Sequence, residues 1–124
     1  MVGLKEKKKL SVRKQVVKNY LIQWYYLDTN IEHLNEAELI KMKTLYASLK
    51  HLDKKELEFL AAKYRVERKP YITDAVAAQE QQMSLKDYKK ERIRIEGKLR
   101  YPIGKYIDKY KKELSQATQL VYGK

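Results

Sequence analysis

The sequence predicts an all-α protein, a small helical bundle of five to six helices containing a helix-turn-helix. Only four glycines and two prolines interrupt the 124 residues, which leaves few places for the turns that many short strands would need. Hydrophobic residues make up 44% of the chain and charged residues 35%, a balance that suits one folded domain with a modest core. We therefore expect a basic N-terminal arm over residues 1–10 and a single helical domain over residues 11–124.

The first predicted helix begins at Ser11, its N-cap, and runs to about Leu27. Its apolar residues recur every three or four positions, which is the period of a helical face. They form one stripe and an adjacent second row, so the helix should contact its neighbours over a wide arc. The stripe consists of Val12, Val16, Tyr20, Trp24 and Leu27, and the second row of Val17, Leu21 and Tyr25.

Two further helices begin at capping boxes, in which the N-cap residue and a glutamate three residues later each accept the other's backbone N–H. Asn35 with Glu38 opens the second helix, and Asp53 with Glu56 opens the third. Both helices carry apolar residues at helical spacing and should pack on the core. These residues are Leu39, Met42, Leu45, Tyr46 and Leu49 in the second helix, and Leu57, Leu60, Ala61 and Tyr64 in the third.

Residues 65–71 should form a loop, because the residue before Pro70 avoids helical backbone. Thr73 is the predicted N-cap of a short helix that runs from Asp74 to about Gln81. This helix is rich in small residues, among them Ala77 and Ala78.

Ser84 with Asp87 makes a further capping box, for a helix from Leu85 to about Arg100. Pro102 and Gly104 should break or kink the chain before a last helix over residues 105–120. One side of the helix that begins at Leu85 is predicted to face the core and the other to carry positive charge. The core side is Leu85, Tyr88, Arg92, Ile95 and Leu99, and the basic residues that mostly point elsewhere are Lys86, Lys89, Lys90, Arg94 and Lys98.

Positive charge is concentrated at the two ends of the chain. The net charge is +12 and the pI is near 9.7. Residues 5–18 hold seven basic residues and one acidic residue, and residues 86–113 hold eleven basic and five acidic residues, whereas residues 28–58 hold five basic and seven acidic residues. This distribution favours a partner with repeated negative charge, above all nucleic acid.

Several classes of function are disfavoured by the residues present. The chain has no cysteine, and its two histidines, His33 and His51, have no metal-binding spacing, so we expect neither a disulfide framework nor a metal site. No nucleophile with a base and no phosphate-binding glycine loop is visible, so we expect no enzyme and no cofactor. No apolar run is long enough for a membrane span, and we expect a soluble, cytoplasmic protein.

The stretch at about residues 73–100 has the layout of a helix-turn-helix, a short capped helix followed by a longer basic one. Small residues such as Ala77 and Ala78 allow two helices to cross closely at a steep angle. The basic second helix would lie in the major groove of DNA. The predicted DNA-binding residues are Thr73, Ser84, Lys86, Lys89, Lys90, Arg92, Arg94 and Lys98.

The segment from Leu49 to Leu99 resembles the region 4 domain of sigma-70 factors, and in particular the ArpU- and RinA-type activators of late phage genes. The pattern pairs a leucine-rich helix that ends in tyrosine with a helix-turn-helix whose second helix carries another tyrosine. The residues that carry it are Leu49, Leu52, Asp53, Glu56, Leu57, Leu60, Tyr64, Thr73, Ala77, Ala78, Met83, Ser84, Tyr88, Ile95 and Leu99. The family has Leu and Gly in the turn where this chain has Gln81 and Gln82. The resemblance implies a transcription regulator of phage or mobile-element origin.

The sequence thus predicts a sequence-specific regulator that binds double-stranded DNA, with the first two helices forming core support or a homodimer interface. A dimer would bind half-sites about one helical turn apart. One alternative is a structural or packaging protein that binds DNA without sequence preference. Another is an adaptor whose basic helix binds an acidic partner such as RNA polymerase.

Overall fold

A computed structural model of the chain describes residues 10–67 and 71–122, with side chains up to residue 113. Residues 1–9 of the predicted arm and residues 68–70 of the predicted loop lie outside the described residues. Within the described ranges the backbone forms seven α-helices, one 3-10 turn and no β-strand, so the predicted all-α fold is confirmed. The helices are α1 (Lys14–Leu21), α2 (Trp24–Thr29), α3 (Glu36–Leu49), α4 (Lys54–Tyr64), α5 (Asp74–Glu80), α6 (Leu85–Gly97) and α7 (Arg100–Tyr122), and the 3-10 turn is Ile31–His33.

The first predicted helix is divided into α1 and α2, and its N-cap residue is Arg13 rather than Ser11. The division arises at Gln23, whose side chain donates a 2.8 Å hydrogen bond to the Asn19 carbonyl while its backbone N–H bonds to Tyr20, only three residues back. A side chain that takes a backbone acceptor competes with the helical ladder. The backbone stays right-handed at Gln23, so the apolar stripe continues from Val17 to Leu27.

Both capping boxes of the first half are confirmed. The Glu38 N–H donates to Asn35 Oδ1 at 2.8 Å and the Asn35 N–H to Glu38 Oε1 at 3.1 Å. The Asp53 box has corresponding distances of 2.8 Å and 3.0 Å. These local bonds fix where α3 and α4 begin.

The boundary between the last two helices lies before Pro102, not after it as predicted. Here α6 ends at Gly97 and α7 begins at Arg100, because the backbone N–H groups of Lys98 and Leu99 bond only three residues back. Pro102 then falls in the first turn of α7, where a backbone N–H has no helical partner to lose.

Gly104 does not break α7 but permits a close contact with the N-terminal segment. A Cβ built on Gly104 would lie 1.6 Å from the Leu10 carbonyl oxygen. Two bonds hold this segment in place: the Val12 N–H donates to the Arg100 carbonyl at 3.0 Å, and Arg100 Nε donates to the Val12 carbonyl at 2.8 Å.

The main core joins α1, α2, α3, α4, α6 and α7, and a smaller cluster lies between α5 and α6. The main core includes Val17, Leu21, Trp24, Leu27, Leu45, Leu60, Tyr64, Ile95, Leu99 and Ile103. The smaller cluster is formed by Ile72, Ala77, Ala78 and Tyr88. Among the helices of the described ranges, none has both the length and the apolar character of a membrane span.

Candidate nucleic-acid interface

The helices α5 and α6 form a two-helix unit that meets at small side chains. Thr73 caps α5, since its Oγ1 accepts a 3.3 Å hydrogen bond from the Val76 N–H. Ala77 and Ala78 are buried against α6, next to the fully buried ring of Tyr88. The sequence predicted these small residues at the contact between the two helices. It also predicted the start of α6 at Leu85.

The turn between the two helices is a Schellman motif. The Met83 N–H bonds to the Ala78 carbonyl at 2.9 Å, and the Gln82 N–H bonds to the Gln79 carbonyl at 3.1 Å. Gln82 has a φ of 56°, in the left-handed region that favours glycine. The turn therefore has a defined hydrogen-bonding pattern, with a glutamine at the position that favours glycine.

Arg92 joins α4, α5 and α6 through a network of partly buried charges. Its Nε lies 3.0 Å from Asp74 Oδ1, and its Nη1 lies 3.1 Å from Glu96 Oε2. Lys63 Nζ, on a side chain only 3% exposed, lies 2.9 Å from the same Asp74 oxygen, and Tyr64 Oη donates a 2.7 Å bond to Glu96. The network fixes the two-helix unit on the bundle.

The charges in this network support one another. Burial raises the pKa of Asp74, but Lys63 and Arg92 outweigh burial and hold that pKa below its usual value. Burial lowers the pKa of the Arg92 guanidinium, but Glu96 and Asp74 outweigh it and raise that pKa. Arg92, a predicted DNA-binding residue, therefore stays charged while its guanidinium is engaged inside the protein.

Lys86, Lys89 and Lys90 are exposed on the first half of α6. Among the side chains of residues 10–67 and 71–113, none forms an ion pair or a hydrogen bond with these three lysines. Their side of α6 also carries Ile93, which is 47% exposed. This part of α6 therefore offers three unpaired cations to solvent, beside the exposed side chain of Asp87.

Arg94 and Lys98, on the second half of α6, are about half exposed but paired with glutamates. Arg94 contacts Glu91 and lies 3.1 Å from Glu56 Oε2, and Lys98 contacts the same Glu56 oxygen. The hydrogen bond from Lys98, aided by the Asp53 backbone N–H, lowers the pKa of Glu56 to about 2. The free positive charge of α6 is therefore concentrated toward its N-terminus.

Thr73 and Ser84 are exposed N-cap residues whose hydroxyls already serve the backbone. Ser84 Oγ accepts a 3.1 Å bond from the Asp87 N–H, and Thr73 lies beside Lys63 and Tyr71 at the edge of the bundle. The structure thus brings Ser84 together with the three free lysines at one end of α6, and it places Thr73 at the start of α5.

Sequence reasoning missed two features of this surface and misplaced one residue. Leu85, predicted on the core side, is 43% exposed, because it is the first residue of α6 and the buried stripe starts only at Tyr88. Ile93 received no role, although it follows Lys89 by four residues and so shares its side of the helix. Lys14 and Lys18 of α1 line a groove beside Ile93, a contact that no local spacing could predict.

The described residues contain no cluster of side chains suited to metal binding. No group of three or more His, Asp or Glu side chains in the described ranges could hold a metal ion. Comparison of the chain with protein-family models, with curated proteins and with solved structures gave no match.

Proposed function

We propose that the chain is a sequence-specific double-stranded DNA-binding protein that regulates transcription, and that the first half of α6 enters the major groove. The observation that carries this proposal is the set of three unpaired lysines, Lys86, Lys89 and Lys90, on the exposed side of α6. A chain with a net charge of +12 that leaves these cations unpaired is suited to a polyanion.

The dimensions of α6 favour the major groove. The helix has 13 residues, about 20 Å of length, and the major groove is about 12 Å wide and admits an α-helix. Lysine can donate to guanine O6 and N7, and an apolar side chain such as Ile93 can contact a thymine methyl group. The exposed side of α6 therefore carries both donors and an apolar contact for base edges.

The rigid attachment of α6 to the bundle supports recognition of the base sequence of DNA rather than of phosphate charge alone. Base contacts require a helix that holds its angle in the groove. The Arg92 network and the Schellman turn set the angle of α6 with bonds that do not involve the exposed lysines. The transcriptional part of the proposal, with RNA polymerase or a second copy as partner and the cytoplasm as location, rests on the resemblance to phage activators.

The test is selection of duplexes from a random pool at physiological salt. We expect the wild-type chain to enrich a defined sequence, and Lys89→Ala and Lys90→Ala to reduce the preference, since each specific base contact supplies about 1–3 kcal/mol of discrimination. The matched controls are Lys43→Ala and Lys50→Ala, which remove exposed charges from α3 and its C-terminal end and should leave the preference intact.

Two other outcomes would replace this proposal. Tight binding without any enrichment would indicate a packaging or architectural protein. Charge reversal at Lys86, Lys89 and Lys90 that abolishes binding to RNA polymerase, while DNA affinity stays unchanged, would indicate an adaptor for an acidic partner.

A further inference from the structure

The groove between α1 and the second half of α6 lies next to the proposed DNA-binding surface. It has a volume of about 230 Å³ and is lined by Lys14, Gln15 and Lys18 from α1, and by Ile93 and Gly97 from α6, among others. Lys89, Ile93 and Gly97 follow one another at intervals of four residues, so they lie along one line of the helix. The side of α6 that is proposed to face the major groove of DNA therefore continues into the protein groove between α1 and α6.

The charge of the groove is positive. Its acidic residue, Glu96, is already occupied by Arg92 and Tyr64. Lys14 is exposed and makes no ion pair with any residue of the described ranges. Lys18 is half-buried, and its ammonium group lies 5.2 Å from the centre of the Tyr71 ring. Neither lysine has a carboxylate to neutralise it within the part of the chain that the structure describes.

The helix that carries the two lysines is anchored in the main core. They are one helical turn apart on α1 and adjoin Val17 and Leu21, which are fully buried in the main core. The floor of the groove at Gly97 is open, because a Cβ built there would meet no atom within 4 Å. A polymer strand can therefore approach the backbone of α6 between Ile93 and the lysines of α1.

We propose that α1 is a second DNA contact, in which Lys14 and Lys18 bind the sugar-phosphate strand that borders the major groove occupied by α6. This inference rests on the proposed function and adds a positioning contact with phosphate. Phosphate contacts set the register of a protein on the duplex but carry no sequence information themselves. Lys14 and Lys18 should therefore contribute to affinity equally on all sequences.

The experiment measures the salt dependence of duplex binding by the full chain. Two 25-bp probes are used, one with the sequence selected from the random pool and one with the same bases scrambled. Each phosphate contact contributes about 0.9 to the slope of log K against log salt concentration. We expect the double variant Lys14→Ala/Lys18→Ala to reduce the magnitude of the slope by about 1.8 on both probes and to leave their affinity ratio unchanged.

Controls separate the possible results. Lys43→Ala/Lys50→Ala removes the same charge from α3, which packs chiefly against α2 and α7, and should change the slope far less. Lys14→Ala alone leaves the Tyr71 contact of Lys18 intact, and it should reduce the slope by about 0.9 even if the double variant is unstable.

The inference about α1 is wrong if the slope of both α1 variants matches that of wild type while changes at Lys89 and Lys90 still weaken binding. The inference is also contradicted if the α1 variants change the ratio of affinities for the two probes but leave the salt slope unchanged, since that result indicates contacts with bases. If the wild-type chain does not bind either duplex, the proposed function itself fails.

Discussion

At the scale of single residues, Gln82 carries the least favourable backbone conformation of the α5–α6 turn. Its φ of 56° places a β-carbon close to the following carbonyl group, at a cost of about 1–2 kcal/mol for a residue other than glycine. Gln81, one position earlier, has ordinary right-handed backbone with φ −86° and ψ 0°. Replacement by glycine should therefore have opposite effects on stability at Gln82 and at Gln81.

Gln82→Gly should therefore stabilise the protein. The relieved strain exceeds the extra entropy that glycine gains in the unfolded chain, and we expect the free energy of unfolding to rise by about 0.5–1 kcal/mol. Urea denaturation monitored by circular dichroism measures the change. Gln81→Gly is the matched control and should lower the free energy of unfolding, and equal effects of the two variants would show that the turn differs from a Schellman motif.

Glu56 should make the stability depend on pH. Its pKa is lowered from 4.5 to about 2, so its ion pairs stabilise the fold above about pH 4.5 and are lost as the pH falls toward 2. Lowered pKa values at Asp28, Asp74 and Glu91 act in the same direction. The free energy of unfolding of the wild-type chain should therefore fall through this range.

Glu56→Gln isolates this contribution, because glutamine still accepts the Asp53 N–H but does not titrate. The variant should be less stable than wild type by about 1 kcal/mol or less at neutral pH, and the two should converge near pH 2. Thermal unfolding from pH 7 to pH 2 measures both curves. Curves that run parallel over the whole range would contradict the assigned ion pairs.

The residues around Glu56 also show what local sequence patterns can predict. The capping role of Glu56 was predictable because Asp53 is three residues away. Its pairing with Arg94 and Lys98 was not, since these residues are 38 and 42 positions away. For that reason the sequence placed Arg94 and Lys98 with the free lysines, whereas the structure gives them carboxylate partners.

At the scale of helices, the two glycines near the boundary between α6 and α7 differ in how closely other atoms approach them. Gly104 of α7 lies against the Leu10 carbonyl, and Gly97 at the end of α6 faces open space. The sequence predicted a break at Pro102 and Gly104, since both residue types disfavour helix interiors. The actual reason for glycine there is the close approach of the N-terminal segment, which no helical pattern reveals.

Gly104→Ala should destabilise the protein and Gly97→Ala should not. The new methyl group at position 104 must displace the Leu10 backbone, and overpacking of this kind costs about 1–3 kcal/mol. The methyl group at position 97 meets no atom and should add up to about 1 kcal/mol through helix propensity. Differential scanning calorimetry compares the two, and equal melting temperatures would contradict the close contact.

The orientation of α5 relative to α6 depends on Arg92. Arg92→Met leaves the partly buried carboxylates of Asp74 and Glu96 without this partner, and it should lower the free energy of unfolding by about 2–3 kcal/mol. Lys89→Met, one turn earlier on the exposed side, should change it by less than about 0.5 kcal/mol. Guanidinium denaturation of both variants is the measurement, and an Arg92→Met variant as stable as Lys89→Met would rule out the network as the fixing element.

At the scale of the whole molecule, the cations of α6 are sorted by the fold into structural and free groups. Arg92 holds helices together, Arg94 and Lys98 are paired, and Lys86, Lys89 and Lys90 face solvent. The starts of α3, α4, α5 and α6 and the alanine contact followed from local spacing, whereas the Ser11 cap, the single first helix and the break after Pro102 were wrong. The groove between α1 and α6 did not, because it joins residues about eighty positions apart that meet only in the folded chain.

The most direct test of the central claim is NMR mapping of the backbone amides of the full chain as the selected duplex is added. The proposed function predicts that the largest chemical-shift changes occur at residues 84–93, around Lys86, Lys89 and Lys90, and that α3 changes little. Largest changes on α3 or α7, with the first half of α6 unaffected, would contradict the claim that this lysine surface lies against DNA.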